Sequence, residues 1–242
     1  MSRRLLSFAV LALVTAVVCV RLGFWQLSRL AEKRAGNAAI QARLAAPAVP
    51  IAALPANVDS ARWRIVRLEG AYDYEREALL GNRTHGGSPG AYLLTPLRRA
   101  DSDTIVFVNR GWVYAPDGRT VERARWQEET QAGGDAYVET YPTEHGRMPR
   151  NAASDTIAFR RLEREALARR AGAPVAPYYL VLLADSAASS HRDSISERPG
   201  RLPRPTLEEG SHLSYAIQWF SFAAIAVVGV AGLIVAEQRR RR

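Results

Sequence analysis

The chain has 242 residues, 48% hydrophobic and 24% charged, which is ordinary for folded protein and excludes a mainly disordered or collagen-like chain. A single cysteine, Cys19, excludes an intramolecular disulfide and zinc sites built on paired cysteines. The formal charge is +9, but much of the excess borders two terminal apolar blocks: Arg3 and Arg4 before the first, Arg239 to Arg242 after the second. That is the pattern of anchors at lipid head groups, so a lipid bilayer is an expected partner. With neither a C2H2 spacing nor an RNP-like aromatic motif, nucleic acid is not.

In chain order, residues 5–27 are predicted to form a first transmembrane helix. Leu5 to Val20 alone reaches about 24 Å as helix, short of a hydrocarbon core of about 30 Å. The apolar pattern continues from Leu22 to Leu27, interrupted by Arg21, which can snorkel at the far boundary. Val14-Thr15-Ala16 would serve as a signal-peptide cleavage site, but an uncleaved anchor is the preferred reading. Val18 is too large for the position before a lipoprotein cysteine.

Residues 28–44 read as helix continuing out of the membrane. Pro47, Pro50 and Pro55 make residues 46–56 an extended linker. Strands are predicted at residues 63–68, 78–80, 92–97 and 104–108, with Trp112 to Tyr114 extending the last. Gly86, Gly87, Pro89 and Gly90 make residues 83–90 a loop, and Pro116-Asp117-Gly118 a turn. A short helix is expected over residues 122–130, and strands over 136–141 and 178–183. Between those strands, Asp155 or Thr156 caps a helix running to about Ala171, stopped by Gly172 and Pro174. Residues 186–206 read as a polar, proline-bearing tether.

No charged residue occurs from Gly210 to Ala236, and residues 213–236 span about 36 Å as helix, enough to cross with tilt. Tyr215, Trp219 and Phe220 mark its first two turns, where interfacial aromatics commonly sit. Residues 237–242 form a basic cytoplasmic tail. The expected fold is α+β: two terminal transmembrane helices flanking an extracytoplasmic domain, residues 28–211, on a mainly antiparallel sheet that could curl like a barrel. Two spans put both termini on one side, and Arg239 to Arg242 place that side in the cytoplasm. Arg29, Lys33 and Arg34 run against the charge rule, but long domains translocate largely regardless of charge. The first span starts almost at Met1, which leaves no room for a mitochondrial transit peptide, so a bacterial inner membrane is expected.

Enzyme chemistry finds little support. Cys19 lies in the membrane, and no GxSxG, HExxH, P-loop or GxGxxG occurs. His85, His145 and His191 sit in loop or tether contexts with no recognisable nucleophile, and read as solvated. Asp101 and Asp103 read as a hairpin tip. Asn82-Arg83 and Asn109-Arg110-Gly111-Trp112, at strand ends, could bind an anion or equally tie loops together. His212, just before the second span, is the best chemical candidate, since neutral imidazole ligates haem iron. Trp219 lies seven residues on, about 20° off the same helical face. A flat apolar ring could lie along that face. Trp25 and Gln26 would form an opposite wall, with Arg21 and Arg29 meeting propionates. The plainer alternative is an aromatic belt with a capping histidine.

These residues also carry a resemblance. Leu22-Gly23-Phe24-Trp25-Gln26-Leu27-Ser28-Arg29 with Lys33 is similar to the first signature of the surfeit-locus (Shy-type) cytochrome c oxidase assembly factors. Gly70-Ala71-Tyr72-Asp73, Leu80-Gly81-Asn82-Arg83, residues 90–97, Val108-Asn109-Arg110-Gly111-Trp112-Val113 and residues 212–220 match in order. Residues 114–206 match loosely. The family tends to place asparagine before the histidine, where this chain has Gly210-Ser211. The resemblance implies a non-enzymatic helper in haem-copper oxidase biogenesis, with haem a as cofactor and the oxidase catalytic subunit as partner. The haem a synthesis machinery is a further candidate partner. His212 falls on the family histidine proposed as an iron ligand, and the Asn109–Trp112 block would dock the oxidase subunit or order the haem pocket. The rival classes are a scaffold that never touches haem and, more weakly, a membrane-tethered envelope enzyme.

Overall fold

A computed structural model describes residues 3–142, 157–184 and 198–241. They form two units: residues 3–41 with 206–241, and residues 42–205. The elements in chain order are α1 (Arg3–Ala45), β1 (Val49–Pro50), α2 (Val58–Ala61), β2 (Ile65–Arg67), β3 (Ala71–Tyr72), β4 (Ala78–His85), β5 (Ser88–Arg99), β6 (Ser102–Tyr114), β7 (Asp135–Thr140), β8 (Ala158–Phe159), α3 (Arg164–Ala171), β9 (Tyr178–Leu182) and α4 (His212–Arg241).

In the helical unit, α1 and α4 are both long and apolar enough to cross a membrane. Their shielded residues recur at spacings of three and four, with one of seven, the signature of a helix-pair seam. On α1 these are Ala16, Cys19, Gly23, Gln26, Leu30 and Asn37; on α4, His212, Ala216, Trp219 and Ala223. Ala16, Cys19, Ala223 and Trp219 pack as one apolar cluster. Gly23 lies under the Phe220 ring, where a Cβ would come within 2.7 Å of ring carbons, and Phe24 meets that ring edge-on at 5.3 Å. Past the apolar stretch, Arg34 Nε and Nη2 donate to the two Glu209 carboxylate oxygens at 3.0 and 2.8 Å, and Asn37 donates to the Glu208 carbonyl at 3.2 Å. Away from the seam the large apolar side chains are exposed, Leu11 to 64% and Val228 to 69%. Their burial needs a lipid-like surround.

In the second unit the strands form one mixed sheet in the order β1-β2-β7-β9-β6-β5-β4-β8, with β3 added on β5. Most ladders are antiparallel, but β1–β2, β4–β8 and β6–β9 are parallel. Among the described residues the path has two ends, β1 and β8, and does not close as a barrel. Each end strand is only two residues long, which limits the unpaired edge. Alternation along the strands makes two apolar faces. Val66, Leu97, Val106, Val108, Val138 and Leu180 pack on one; Leu80, Leu94, Phe107 and α3 residue Leu167 pack on the other.

Several expectations need correction. The proposed loop at residues 83–90 is mostly strand, because Gly86 and Gly87 both take positive φ (55° and 83°) and turn β4 into β5 in two residues. The proposed linker at 46–56 supplies β1 and buries Ile51 in the core. The helix expected over 122–130 is a single tight turn, Arg123–Trp126. There the Trp126 carbonyl accepts from Arg110 at 2.7 Å and the Glu128 amide donates to the Tyr74 hydroxyl at 3.0 Å, so tertiary partners take groups a helix would use. The helix expected from residue 155 or 156 is α3 alone. Its Gly172 stop is as expected, with φ 65° and an amide donating to the Ala168 carbonyl at 2.9 Å. Ala158 and Phe159, placed in that helix by the sequence, instead pair with β4. The proposed caps at 155 and 156 lie outside the described residues, as do residues 186–197 of the proposed tether, His145 and His191. Asp101 sits in the β5–β6 turn, paired with Arg99, while Asp103 lies within β6.

Candidate functional site

His212 opens α4, and its Nδ1 lies 2.9 Å from Oε1 of Gln26 on α1. They form a polar pair within an otherwise mostly apolar seam. A carboxamide oxygen only accepts, so with the amide assigned this way Nδ1 carries the proton and Nε2 holds the free lone pair. Gly210, at φ 75°, has no Cβ where one would stand 3.7 Å from Nε2. This left-handed conformation is also one that asparagine tolerates well, which reconciles glycine here with the asparagine of the resemblance.

Trp219 is on the seam face with His212 and packs on Ala16 and Cys19, so its role includes holding the helix pair together. Trp25 lies off the seam and is 53% exposed. Arg21, Trp25 and Arg29 follow one another at four-residue spacing and are all exposed, forming an arginine–indole–arginine stripe along α1. Arg29 shares its charge with Glu32 at 2.6 Å, a surface pair of small energy.

In the sheet unit, Asn109 and Arg110 are buried and Trp112 is half-buried. The Arg110 side chain is 0% exposed. Its Nε donates to Thr95 Oγ1 at 2.7 Å and its Nη2 to Glu77 Oε2 at 2.6 Å; Nη1 donates to the Trp126 carbonyl at 2.7 Å and to Glu128 Oε2 at 2.9 Å. Thr95 in turn donates to Glu77 Oε2 at 2.5 Å. Burial works against the charge on Arg110, but the neighbouring Glu77 carboxylate and these hydrogen bonds prevail and hold its pKa above the ordinary arginine value. The guanidinium also sits 4.9 Å from the Tyr74 ring centre. Burial raises the Tyr72 hydroxyl well above the ordinary tyrosine range.

The same block fastens the chain that leads towards α4. Trp112 and Gly200 exchange two backbone hydrogen bonds, each 2.8 Å, and Gly111 takes φ 130° where a Cβ would stand 2.4 Å from the Gly200 carbonyl oxygen. Arg201 donates to the Arg110 carbonyl and pairs with Glu128. Arg204 donates to the Leu44 carbonyl at 2.7 Å. Residues 198–204, expected to be part of a tether, are therefore a strap on the sheet. Arg201→Ala should cost about 1–2 kcal/mol and speed hydrogen exchange at the Trp112 and Gly200 amides, with little change at β5. Unchanged exchange at both amides would show that Arg201 does not hold the strap.

Asn82-Arg83 also ties loops together. The Asn82 amide donates to the Gly118 carbonyl at 2.8 Å, Arg83 donates to the Arg160 carbonyl at 3.2 Å, and Trp112 Nε1 donates to the Arg83 carbonyl at 3.2 Å. His85 is exposed, its ring 5.5 Å from that of Trp112. No cluster of three metal-ligating side chains occurs among the described residues. Sequence reasoning missed Glu77, Thr95, Glu128 and Arg201 as partners of Arg110. Their only sequence signal is charge or hydroxyl next to an apolar strand or a proline-flanked stretch.

Two terminal helices apolar and long enough to cross a membrane, joined by a polar His–Gln pair and with an α+β domain between them in sequence, define a class of membrane-associated protein. The family model of the SURF1 family matches residues 13–224, and the chain belongs to that family. It is similar to a SURF1-like protein of Rickettsia bellii, 29% identical over 220 residues, covering 89% of this chain and 86% of that protein. It is 26% identical over 228 residues to human Surfeit locus protein 1, covering 88% of this chain and 72% of the human one. A SURF1-like protein of Drosophila melanogaster is 28% identical over 226 residues, covering 84% and 69% respectively. The family expected from the sequence blocks is therefore borne out.

Proposed function

We propose that the protein is a non-enzymatic assembly factor for a haem-copper oxidase, which holds haem a as cargo and helps its insertion into the catalytic subunit. It would sit in a bacterial inner membrane with both termini cytoplasmic and the sheet domain in the periplasm. The observation that carries this reading is the His212–Gln26 pair, in which Nδ1 is engaged at 2.9 Å and Nε2 is left as a donor towards iron. The residue types suit the group: the His212 imidazole on the seam and, on the exposed face of α1, the Trp25 indole with Arg21 and Arg29 for propionates. Trp219 supports the reading by holding the seam that presents His212.

If haem is held, His212 would offer a nitrogen to its iron, Trp25 an apolar face, and Arg21 and Arg29 countercharge. The isoprenoid tail of haem a suits the exposed apolar surface of the helices. In the sheet domain, Asn109, Arg110 and Gly111 order the fold from within, so contact with the oxidase subunit falls to the exposed His85 and Tyr114 and the half-buried Trp112. The haem a synthesis machinery would deliver the cargo.

The test is the visible spectrum of the protein purified from cells that make haem a, beside His212→Ala at matched membrane levels. A haem a spectrum lost or shifted in the variant is expected. A wild type that stays colourless despite haem a supply would favour a scaffold that steadies a subunit intermediate without haem. Equal haem in both would move the ligand away from His212.

A further inference from the structure

We propose that Gln26 is the positioning residue that sets the ligand strength of His212, keeping it weak enough to release its cargo. The inference rests on the haem reading above and extends it from which residue binds to how tightly. Gln26 Oε1 accepts from the imidazole at Nδ1, 2.9 Å away, and so fixes both the tautomer and the ring plane. Nε2 is the ring nitrogen left over, and the Gly210 backbone packs beside that edge of the ring, where a Cβ would stand 3.7 Å from Nε2 in ordinary contact.

The helix pair fixes that geometry. Gln26 follows Gly23 by three residues along the α1 seam, where Gly23 lies under Phe220 and Phe24 meets the same ring edge-on at 5.3 Å. His212 and Phe220 are both on α4, eight residues apart by number, so the register that seats Phe220 over Gly23 also brings His212 to Gln26.

The identity of the acceptor matters. Where a ligating histidine donates to a carboxylate, the imidazole gains basicity and binds the metal more tightly. An uncharged carboxamide orients the ring in the same way but withdraws the proton less. A protein that must pass its cargo on needs an oriented ligand that is not a strong one. Glutamine satisfies both conditions, and it avoids placing a charge in an apolar seam.

The test uses the full-length protein in detergent with haem b, added as ferric hemin, as the probe. Wild type, Gln26→Glu, Gln26→Leu and His212→Ala are compared for affinity, visible spectrum, midpoint potential and rate of haem transfer to apomyoglobin. Gln26→Leu is expected to weaken haem binding by about 10–100-fold. Gln26→Glu preserves size and shape and is the deciding variant: transfer should slow by about tenfold and the midpoint potential should move negative. A Gln26→Glu protein that binds haem through His212 but shows any other combination overturns the inference, whatever Gln26→Leu does. A wild type that does not bind hemin, or a His212→Ala variant with wild-type affinity and spectrum, instead brings down the haem reading itself, and the role of Gln26 with it.

Discussion

Replacing Arg110 by glutamine should lower the stability of the sheet domain by about 3–5 kcal/mol, the range for breaking a buried ion pair from one side. Arg110 is fully shielded, as is Glu77, which receives its Nη2 at 2.6 Å. Without the guanidinium, Glu77 keeps only the Thr95 hydroxyl on its Oε2, and Glu128 keeps Arg201. A shielded carboxylate without its charge partner is costly, and it stands where β4, β5 and β6 meet. Urea unfolding followed by tryptophan fluorescence would measure the loss. A Glu77→Leu, Arg110→Met double variant should be more stable than Arg110→Gln, because it leaves no uncompensated charge on Glu77. A double variant as unstable as the single one would show that the ion pair is not the source of the effect.

Gly111→Val is the second large effect. Its φ of 130° is strained for any residue with a Cβ, and that carbon would stand 2.4 Å from the Gly200 carbonyl oxygen. The strap can avoid the clash only by leaving the sheet, which breaks both Trp112–Gly200 hydrogen bonds and pulls Arg201 from Glu128. A loss of about 3 kcal/mol is expected. The Arg201–Leu202 bond should also become open to trypsin in the variant. Resistance there equal to wild type would show that the strap stays seated, and would remove the steric explanation.

The roles of Arg110 and Gly111 could not be read from the sequence. The block Asn109-Arg110-Gly111-Trp112 was conspicuous as a motif, and an arginine beside a tryptophan at a strand end reads equally as an anion site, a docking patch or a structural tie. Arg110 meets Thr95 across 15 residues of chain, Glu128 across 18, Glu77 across 33 and Arg201 across 91. No periodicity links positions so spaced, so only the folded sheet brings them together. The turn at Gly86-Gly87 failed for a different reason. Glycine clusters serve both long loops and two-residue hairpins, and the choice depends on whether the flanking strands pair. The residues around Trp126 look helical locally, yet Arg110 and Tyr74 claim their backbone groups.

The helical unit was more legible, because long uncharged apolar runs admit few other structures. Length, hydropathy and the order of six short blocks suffice for two terminal helices, an α+β middle and membership of the SURF1 family. These features are written locally, residue by residue, and survive without any knowledge of distant neighbours. Which face of each helix is shielded, that Gln26 meets His212 across 186 residues, and that Arg110 points inward were decided by tertiary packing. A side chain's role depends on its partner, and the partners of these side chains are adjacent in space while remote in sequence.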